Sequence, residues 1–359
     1  MNNIGRIQEK LAEKGLDAIL ITDEKNQRYA TGFPFTDGFV LVGREKAWLI
    51  TDSRYIEAAE MAAGSCCTVQ LFDAQNSRMS ILRADLAEIK AEKLGGEDEK
   101  LNYSEYLAFQ KALGMELIPA QDVLASLRAV KNEEEKESLI AAQRISEKAL
   151  EETLHILKPG MTEREAAAEL VYRMLKYGSE GNSFDPIVIT GKKTSMPHGV
   201  PGDEIIRDGD FVTMDFGSLK NGYCSDMTRT VAIGHATEEM KNIYDTVLRA
   251  QLAGIAAAKA GVTGSSIDGA ARKVISDAGY GEYFGHSFGH SLGLDIHEMP
   301  GASPKSSVIL PAGTVISAEP GIYIPGKFGV RIEDVIILRE NGAENITKAP
   351  KDLAILKNM

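Results

Sequence analysis

Cysteine is scarce in this chain, with three among 359 residues, and there is a single tryptophan. Cys66 and Cys67 are adjacent and Cys224 stands alone. An odd set of this kind forms no disulfide framework and suits a reducing cytoplasm. No apolar run approaches the ~20 residues of a membrane-spanning helix. The first ten residues lack the apolar core of a signal peptide, so a soluble, cytoplasmic protein is expected. Positive charge is in deficit: 40 Lys and Arg against 52 Asp and Glu give a net charge of −12. That balance argues against nucleic acid or an anionic membrane as partner. Histidine is rare too. Of six in the chain, His286, His290 and His297 fall within residues 285–298.

What is present is ordinary globular composition, 43% hydrophobic and 26% charged, at a length that suits two domains better than one. Over residues 1–127, helix and strand signals alternate. Ile7, Leu11 and Leu16 predict an amphipathic helix closed by Gly15. Short apolar strands are expected at 17–22, 39–42, 47–51 and 68–72, with helices near 54–63, 76–90 and 104–113. No ligand-type side chains gather in this α/β unit, which reads as a lid or assembly domain.

Residues 128–359 form the second domain. A charged run opens a long helix expected over 133–157 and stopped by Pro159 and Gly160. Thr162 and Glu165 have capping-box spacing, opening a helix to about Tyr177. The arrangement recurs 101 residues later: Lys158, Gly160, Thr162 and Gly178 correspond to Lys259, Gly261, Thr263 and Gly279. Each copy follows a long helix, the second expected over 237–258. An internal duplication follows, with a cleft where the halves meet.

Asn221-Gly222 between two strand patterns predicts a two-residue type I′ hairpin. Lys220 then pairs with Tyr223, Gly217 falls opposite Asp226, and Asp215 becomes a diagonal neighbour of Asp226 on one face. No local Lys or Arg is placed between these carboxylates on that face. At ~4 Å their repulsion would be roughly 4 kcal/mol for an effective dielectric near 20. Either one is protonated, as in an acid dyad, or a cation binds. The dyad leaves Glu319 and Glu333, also in apolar strand-like contexts, without a role. With His290, the four carboxylates suit two divalent ions. Alternation places Arg331 on the face of Glu333.

The runs around Asp215, Asp226, His290 to Glu298, Glu319 and Arg331 to Glu333 resemble the pita-bread metallopeptidases. Within them the chain is most similar to the Xaa-Pro peptidases, prolidase and aminopeptidase P, over nearly its whole length. The resemblance implies a creatinase-like α/β N-terminal domain followed by an internally duplicated α+β pita-bread catalytic domain. It also implies Asp215, Asp226, His290, Glu319 and Glu333 as ligands of a dinuclear centre, with Asp226 and Glu333 bridging. The metal would be manganese, or else cobalt, zinc or iron, in a homodimer. His198 and His297 would line the cleft. A metal-activated hydroxide would attack the Xaa-Pro carbonyl of a dipeptide or short peptide. Glu319 would then carry the proton to the proline nitrogen, His297 would stabilise the oxyanion, and Arg331 would orient Glu333 from behind.

Two positions depart from the family pattern. Ser291 stands where glycine is frequent, and Gly301 stands where dipeptide-specific relatives carry an arginine for the substrate carboxylate. The second departure leaves room for longer peptides. A creatinase-like C–N hydrolase and a non-catalytic peptide-binding protein on the same fold are the alternatives, and both would usually have lost carboxylate ligands. Of the remaining histidines, His155 and His235 are expected at the surface and His286 in a structural role.

Overall fold

The computed structural model describes residues 2–357 and divides into two compact units, Met1–Arg128 and Ala129–Met359. In the first unit, helix α1 (Ile4–Lys14) buries Ile4, Ile7 and Leu11 and ends where Gly15 turns left-handed. Strand β1 (Ala18–Ile21), helix α2 (Glu24–Thr31), strands β2 (Gly38–Gly43) and β3 (Ala47–Thr51), helix α3 (Ile56–Ala63) and strand β4 (Thr68–Leu71) follow. Helix α4 (Arg78–Glu88), strand β5 (Leu94–Gly96), helix α5 (Tyr103–Leu113), strand β6 (Leu117–Pro119) and helix α6 (Gln121–Arg128) complete it. The strands form one mixed sheet in the order β4-β3-β2-β1-β5-β6. Leu82 and Leu86 of α4 and Phe109 of α5 share a core with Ala18, Leu20, Leu41 and Ile50.

The second unit opens with α7 (Glu133–Leu154) and α8 (Glu163–Lys176), each started by a full capping box, at Asn132 and Thr162. Helix α7 stops at Leu154, short of the expected 157. Strands β7 (Ile187–Thr190), β8 (Phe211–Phe216), β9 (Leu219–Lys220), β10 (Tyr223–Cys224) and β11 (Met227–Ile233) follow. Helices α9 (Glu238–Ala257) and α10 (Gly264–Asp277) come next, then β12 (Gly289–Ser291), β13 (Glu298–Ala302) and β14 (Val315–Ala318). The last strands are β15 (Gly321–Ile324), β16 (Phe328–Arg331), β17 (Asp334–Arg339), β18 (Gly342–Asn345) and β19 (Ile355–Leu356).

Two larger sheets result, β19-β11-β8-β7 and β13-β12-β14-β17-β18. Each carries its own helix pair. Ala166, Leu170 and Met174 of α8 share a core with Val212, Met214 and Phe216 of β8. Ile267, Ala271 and Ile275 of α10 share another with Ile316 and Ala318 of β14 and Ile336 and Leu338 of β17.

The duplication extends to individual hydrogen bonds. Gly160 N–H donates to the Ile206 carbonyl at 3.0 Å, and Gly261 N–H to that of Leu310 at 2.9 Å. In return Ile206 donates to Met161 and Leu310 to Val262. Isolated bridges Thr162–Ile205 and Thr263–Ile309 close the two copies alike.

Side-chain alternation now decides where the polar residues go. On β8, Val212, Met214 and Phe216 face the α8 core, so Thr213 and Asp215 lie on the opposite face. On β11 the same parity leaves Thr228 and Thr230, with Asp226 just before the strand, away from Met227, Val231 and Ile233. In the other half, Ile316 and Ala318 face the helices, which turns Ser317 and then Glu319 the other way. Glu333 and Val335 lie opposite Ile336 in the same sense. The two inner faces meet. Thr228 Oγ1 donates to Glu333 Oε2 at 2.6 Å, and Thr230 Oγ1 to the Arg331 carbonyl at 3.0 Å.

Candidate metal centre

Asn221 and Gly222 take positive φ, 51° and 78°, and the hairpin pairs Lys220 with Tyr223 as its sequence predicts. The register carries through to Phe216–Met227 and Asp215–Thr228, so the diagonal relation of Asp215 to Asp226 follows. From the other half, Glu319 sits where the chain leaves β14, at Pro320, for the β15–β16 hairpin. Glu333 sits between β16 and β17. His290 is the middle residue of β12, held close to β14; a Cβ at neighbouring Gly289 would lie 1.9 Å from the Ser317 carbonyl oxygen.

Asp215, Asp226, His290, Glu319 and Glu333 all line one cleft of about 880 Å³, together with His198, His297 and Arg331. Every residue singled out as a site candidate therefore faces the same cavity. One ligand atom each from Asp226, His290 and Glu333 lies within 4.8 Å of the others. His290 Nε2 is 3.4 Å from Asp226 Oδ2 and 3.3 Å from Glu319 Oε1. Ser317 Oγ donates to Glu319 Oε1 at 3.0 Å.

The electrostatics of this cluster are unbalanced. Burial, then the charges of Glu333, Asp215 and Glu319, push the Asp226 carboxyl well above the usual range. Burial, then Glu319 and Asp215, do the same to Glu333. Glu319 is raised, mainly by burial, against the opposing pull of His286 and Arg331. Burial also lowers His290, favouring the neutral imidazole. Its Nδ1 lies 3.2 Å from the Ser291 carbonyl, a partner that requires an N–H on that nitrogen. The Nε2 lone pair then points at two carboxylates. Asp215 Oδ1 is buried with no hydrogen-bond partner. Lone pairs facing one another and an orphaned carboxylate oxygen are what a bound cation resolves. The donor set of four carboxylates and one imidazole fits divalent ions.

Arg331 adds a partner to the sequence reading. A cation does reach the Asp215–Asp226 region, from far along the chain. Its Nη2 donates to Asp215 Oδ2, its Nη1 to Tyr323 OH at 2.8 Å and its Nε to Thr228 Oγ1 at 3.0 Å. None of its hydrogen bonds goes to Glu333. Val330 and Ile332 face the helix core, so Arg331 and Glu333 share the cleft face as expected, and Thr228 links them by donating to Glu333. One guanidinium between Asp215 and three further carboxylates leaves the cluster net negative.

The histidines separate by environment. His297 stacks edge-on to His290, with ring centroids 4.4 Å apart, and burial followed by the His290 charge lowers its pKa. His198 lies on the same cleft wall system. His286 lines the cleft as well, but its Nε2 is held 2.9 Å from Tyr323 OH and its Nδ1 2.9 Å from the Ser287 carbonyl. It thus ends a chain running from Arg331 through Tyr323, whose phenol burial pushes up to about 12. His155 is exposed, as is His235 beside Asp208 at 3.0 Å. Thr228, Ser317 and Tyr323 are the contributors the sequence reading missed. The first two were findable, because each lies two residues from a site carboxylate on the same strand face.

With this geometry in place, comparison with known proteins is decisive. Residues 137–340 match the model of metallopeptidase family M24. The chain belongs to that family. It is therefore a hydrolase of the metallopeptidase class, whose members use divalent metal ions. Residues 3–130 match the creatinase/prolidase N-terminal domain. An uncharacterised peptidase of Bacillus subtilis, YqhT, is 40% identical, the match covering 98% of this chain and 99% of that protein. The Xaa-Pro dipeptidase of Pyrococcus furiosus is 38% identical over 95% of this chain and 96% of its own. Among solved structures, an Xaa-Pro dipeptidase from Bacillus anthracis superposes with a TM-score of 0.94 at 43% identity, covering 99% of both chains. The fold expected from the resemblance, a creatinase-like domain followed by a pita-bread catalytic domain, is the fold of these relatives.

Proposed function

We propose that this metallopeptidase cleaves the Xaa-Pro bond at the N-terminus of dipeptides and short peptides. The observation that carries the reading is one cleft lined by four carboxylates and His290, with Asp226 and Glu319 facing the His290 lone pair. Relatives named as Xaa-Pro dipeptidases support the choice of substrate. In this reading Asp215, Asp226, His290, Glu319 and Glu333 would hold two divalent cations, manganese first. When bound, such a pair supplies hydroxide at neutral pH by lowering the pKa of a water to about 7.

The chain's own groups do the rest. Glu319, raised by burial and held by Ser317, takes up the proton of the attacking water and delivers it to the leaving nitrogen. That delivery matters here because the proline nitrogen is a tertiary amide and leaves as an amine only once protonated. His297, kept neutral by burial, offers an N–H to the oxygen of the scissile carbonyl. His198 lines the same cleft and positions the peptide beside it. Arg331 fixes Asp215 through its charge, leaving Oδ1 free for a cation. Phe184, Ile187, Pro197 and Val308 give the cleft apolar wall for a pyrrolidine ring. Lys305 lines the cleft, is exposed and makes no ion pair among the described residues. It is placed to receive a substrate carboxylate that Gly301 has no side chain to hold.

The free thiols of Cys66, Cys67 and Cys224 fit a cytoplasmic setting. Among the described residues no helix is long and apolar enough to cross a membrane. A homodimer belongs to the same proposal, and light scattering tests it. All five donor residues are present, so no observation favours the creatinase-like or scaffold alternatives. The deciding experiment is hydrolysis of an Xaa-Pro dipeptide and an Xaa-Pro-Yaa tripeptide by chelator-stripped protein, with and without Mn²⁺. Metal-dependent cleavage of either upholds the reading; cleavage of neither, with cations bound, overturns it.

A further inference from the structure

Lys131 is only 2% exposed. A buried ammonium is costly unless paired and hydrogen-bonded. Its Nζ donates to Ser291 Oγ at 3.2 Å and to Glu298 Oε2 at 3.1 Å. Those two residues are cross-strand partners in the β12–β13 ladder. The ladder is irregular on one side of them. Gly289 pairs with Ala302 and Ser291 with Glu298, so His290 alone spans what Met299, Pro300 and Gly301 span on the other strand. Such an irregularity re-aims a side chain and removes the local backbone bonds that would otherwise fix spacing.

Each stapled residue immediately follows a cleft histidine: Ser291 follows His290 and Glu298 follows His297. The backbone of Lys131 is itself anchored. Its N–H donates to the Gly313 carbonyl at 3.1 Å, and the next residue, Asn132, caps α7 through a full capping box. Ser291 Oγ donates to the Val315 carbonyl at 2.7 Å, and Glu298 Oε1 accepts from the Asp295 N–H at 3.1 Å. We propose that Lys131 is a positioning residue that staples β12 to β13 and so sets the 4.4 Å separation of the His290 and His297 rings. The catalytic part of this claim rests on the proposed roles of those histidines. Ser291, which accepts from Lys131, is part of the device.

The test compares Lys131→Met, Glu298→Gln and the double variant, loaded with Mn²⁺ for kinetics and with diamagnetic Zn²⁺ for the ring signal. Melting temperature, metal content, the nuclear Overhauser effect between the two histidine rings, and kcat and KM on an Xaa-Pro peptide are measured for each. Each single variant leaves one buried charge unpaired and melts lower, and the double variant recovers melting temperature. The ring–ring signal is lost in all three. With two metals retained and KM nearly unchanged, kcat falls by about 100-fold, the scale of a ~1 Å misplacement. Recovery of the ring signal and kcat along with melting temperature in the double variant overturns the proposal, because the pair would then matter only for stability. If Lys131→Met does not fold, the double variant carries the test. If the wild type cleaves no Xaa-Pro peptide, the proposed substrate falls, and the ring signal alone still decides the staple.

Discussion

Asp226→Asn should destabilise the metal-loaded protein and stabilise the metal-free one. In the absence of cations, ligand atoms of Asp226 and Glu333 lie within 4.8 Å of each other. Two full charges at that distance repel by about 3 kcal/mol at an effective dielectric near 20. Arg331 trims this, and uptake of a proton relieves it. The sign with pH follows from the raised carboxyls of Asp226, Glu319 and Glu333. Above the ordinary carboxylate range, the metal-free folded protein holds protons that the unfolded chain has released. Its stability therefore falls as pH rises toward the raised values. Asparagine removes one of the charges, so the chelated variant should exceed chelated wild type by up to about 3 kcal/mol near pH 8. At roughly 2–4 °C per kcal/mol this is a gap of several degrees, closing toward pH 4. With Mn²⁺ the order should reverse, because the variant lacks a proposed ligand carboxylate. It should also release metal and lose turnover. Calorimetry in chelator and in Mn²⁺, at pH 5 and pH 8, reads all of this. Equal destabilisation of the variant in both conditions would refute the cation-balancing argument, and full activity with both ions retained would refute the proposed ligand role.

His297→Ala should lower kcat by about 10²–10³-fold, the scale of removing one oxyanion donor, with metal content unchanged; loss of metal on elemental analysis would mean that the residue is a ligand. Lys305→Met should raise KM for a free-acid Xaa-Pro dipeptide by about fivefold at most, as befits an exposed charge pair. The KM for a C-terminally amidated peptide should stay put. An equal shift for both substrates would remove the carboxylate role.

Local rules made the hairpin, the capping boxes and the repeat legible. Asn221-Gly222 set a register with one solution, and that register brought Asp215 and Asp226 to one face. The glycines at 160 and 261, and at 178 and 279, take φ between 82° and 93° in both copies, which is why so sparse a set of identities marked the duplication. Helix α2 was missed for an equally physical reason. Its buried side begins with polar Asn26 and Gln27, ahead of Tyr29, Ala30 and Thr31, and those two are satisfied by Glu97 and by backbone carbonyls from elsewhere in the first unit. The short strands β5 and β6 and helix α6 also escaped, each too brief or too polar to show a period.

The site divides along the same line. Its carboxylates were legible because an acid in an apolar alternating strand demands a partner. Where that partner comes from is a tertiary fact. Arg331 reaches Asp215 across more than a hundred residues of chain, and Lys131 reaches Glu298 across still more. The neighbourhood of Lys131 suggests only a charged linker, and alternation around Arg331 points to Glu333 rather than to Asp215. Burial makes them specific: a guanidinium and an ammonium enclosed at the inner faces must each find a carboxylate, and each thereby fixes a segment carrying a proposed ligand. The acids thus announce the chemistry from the sequence, while the carboxylates with which these two cations pair become visible only in the folded chain.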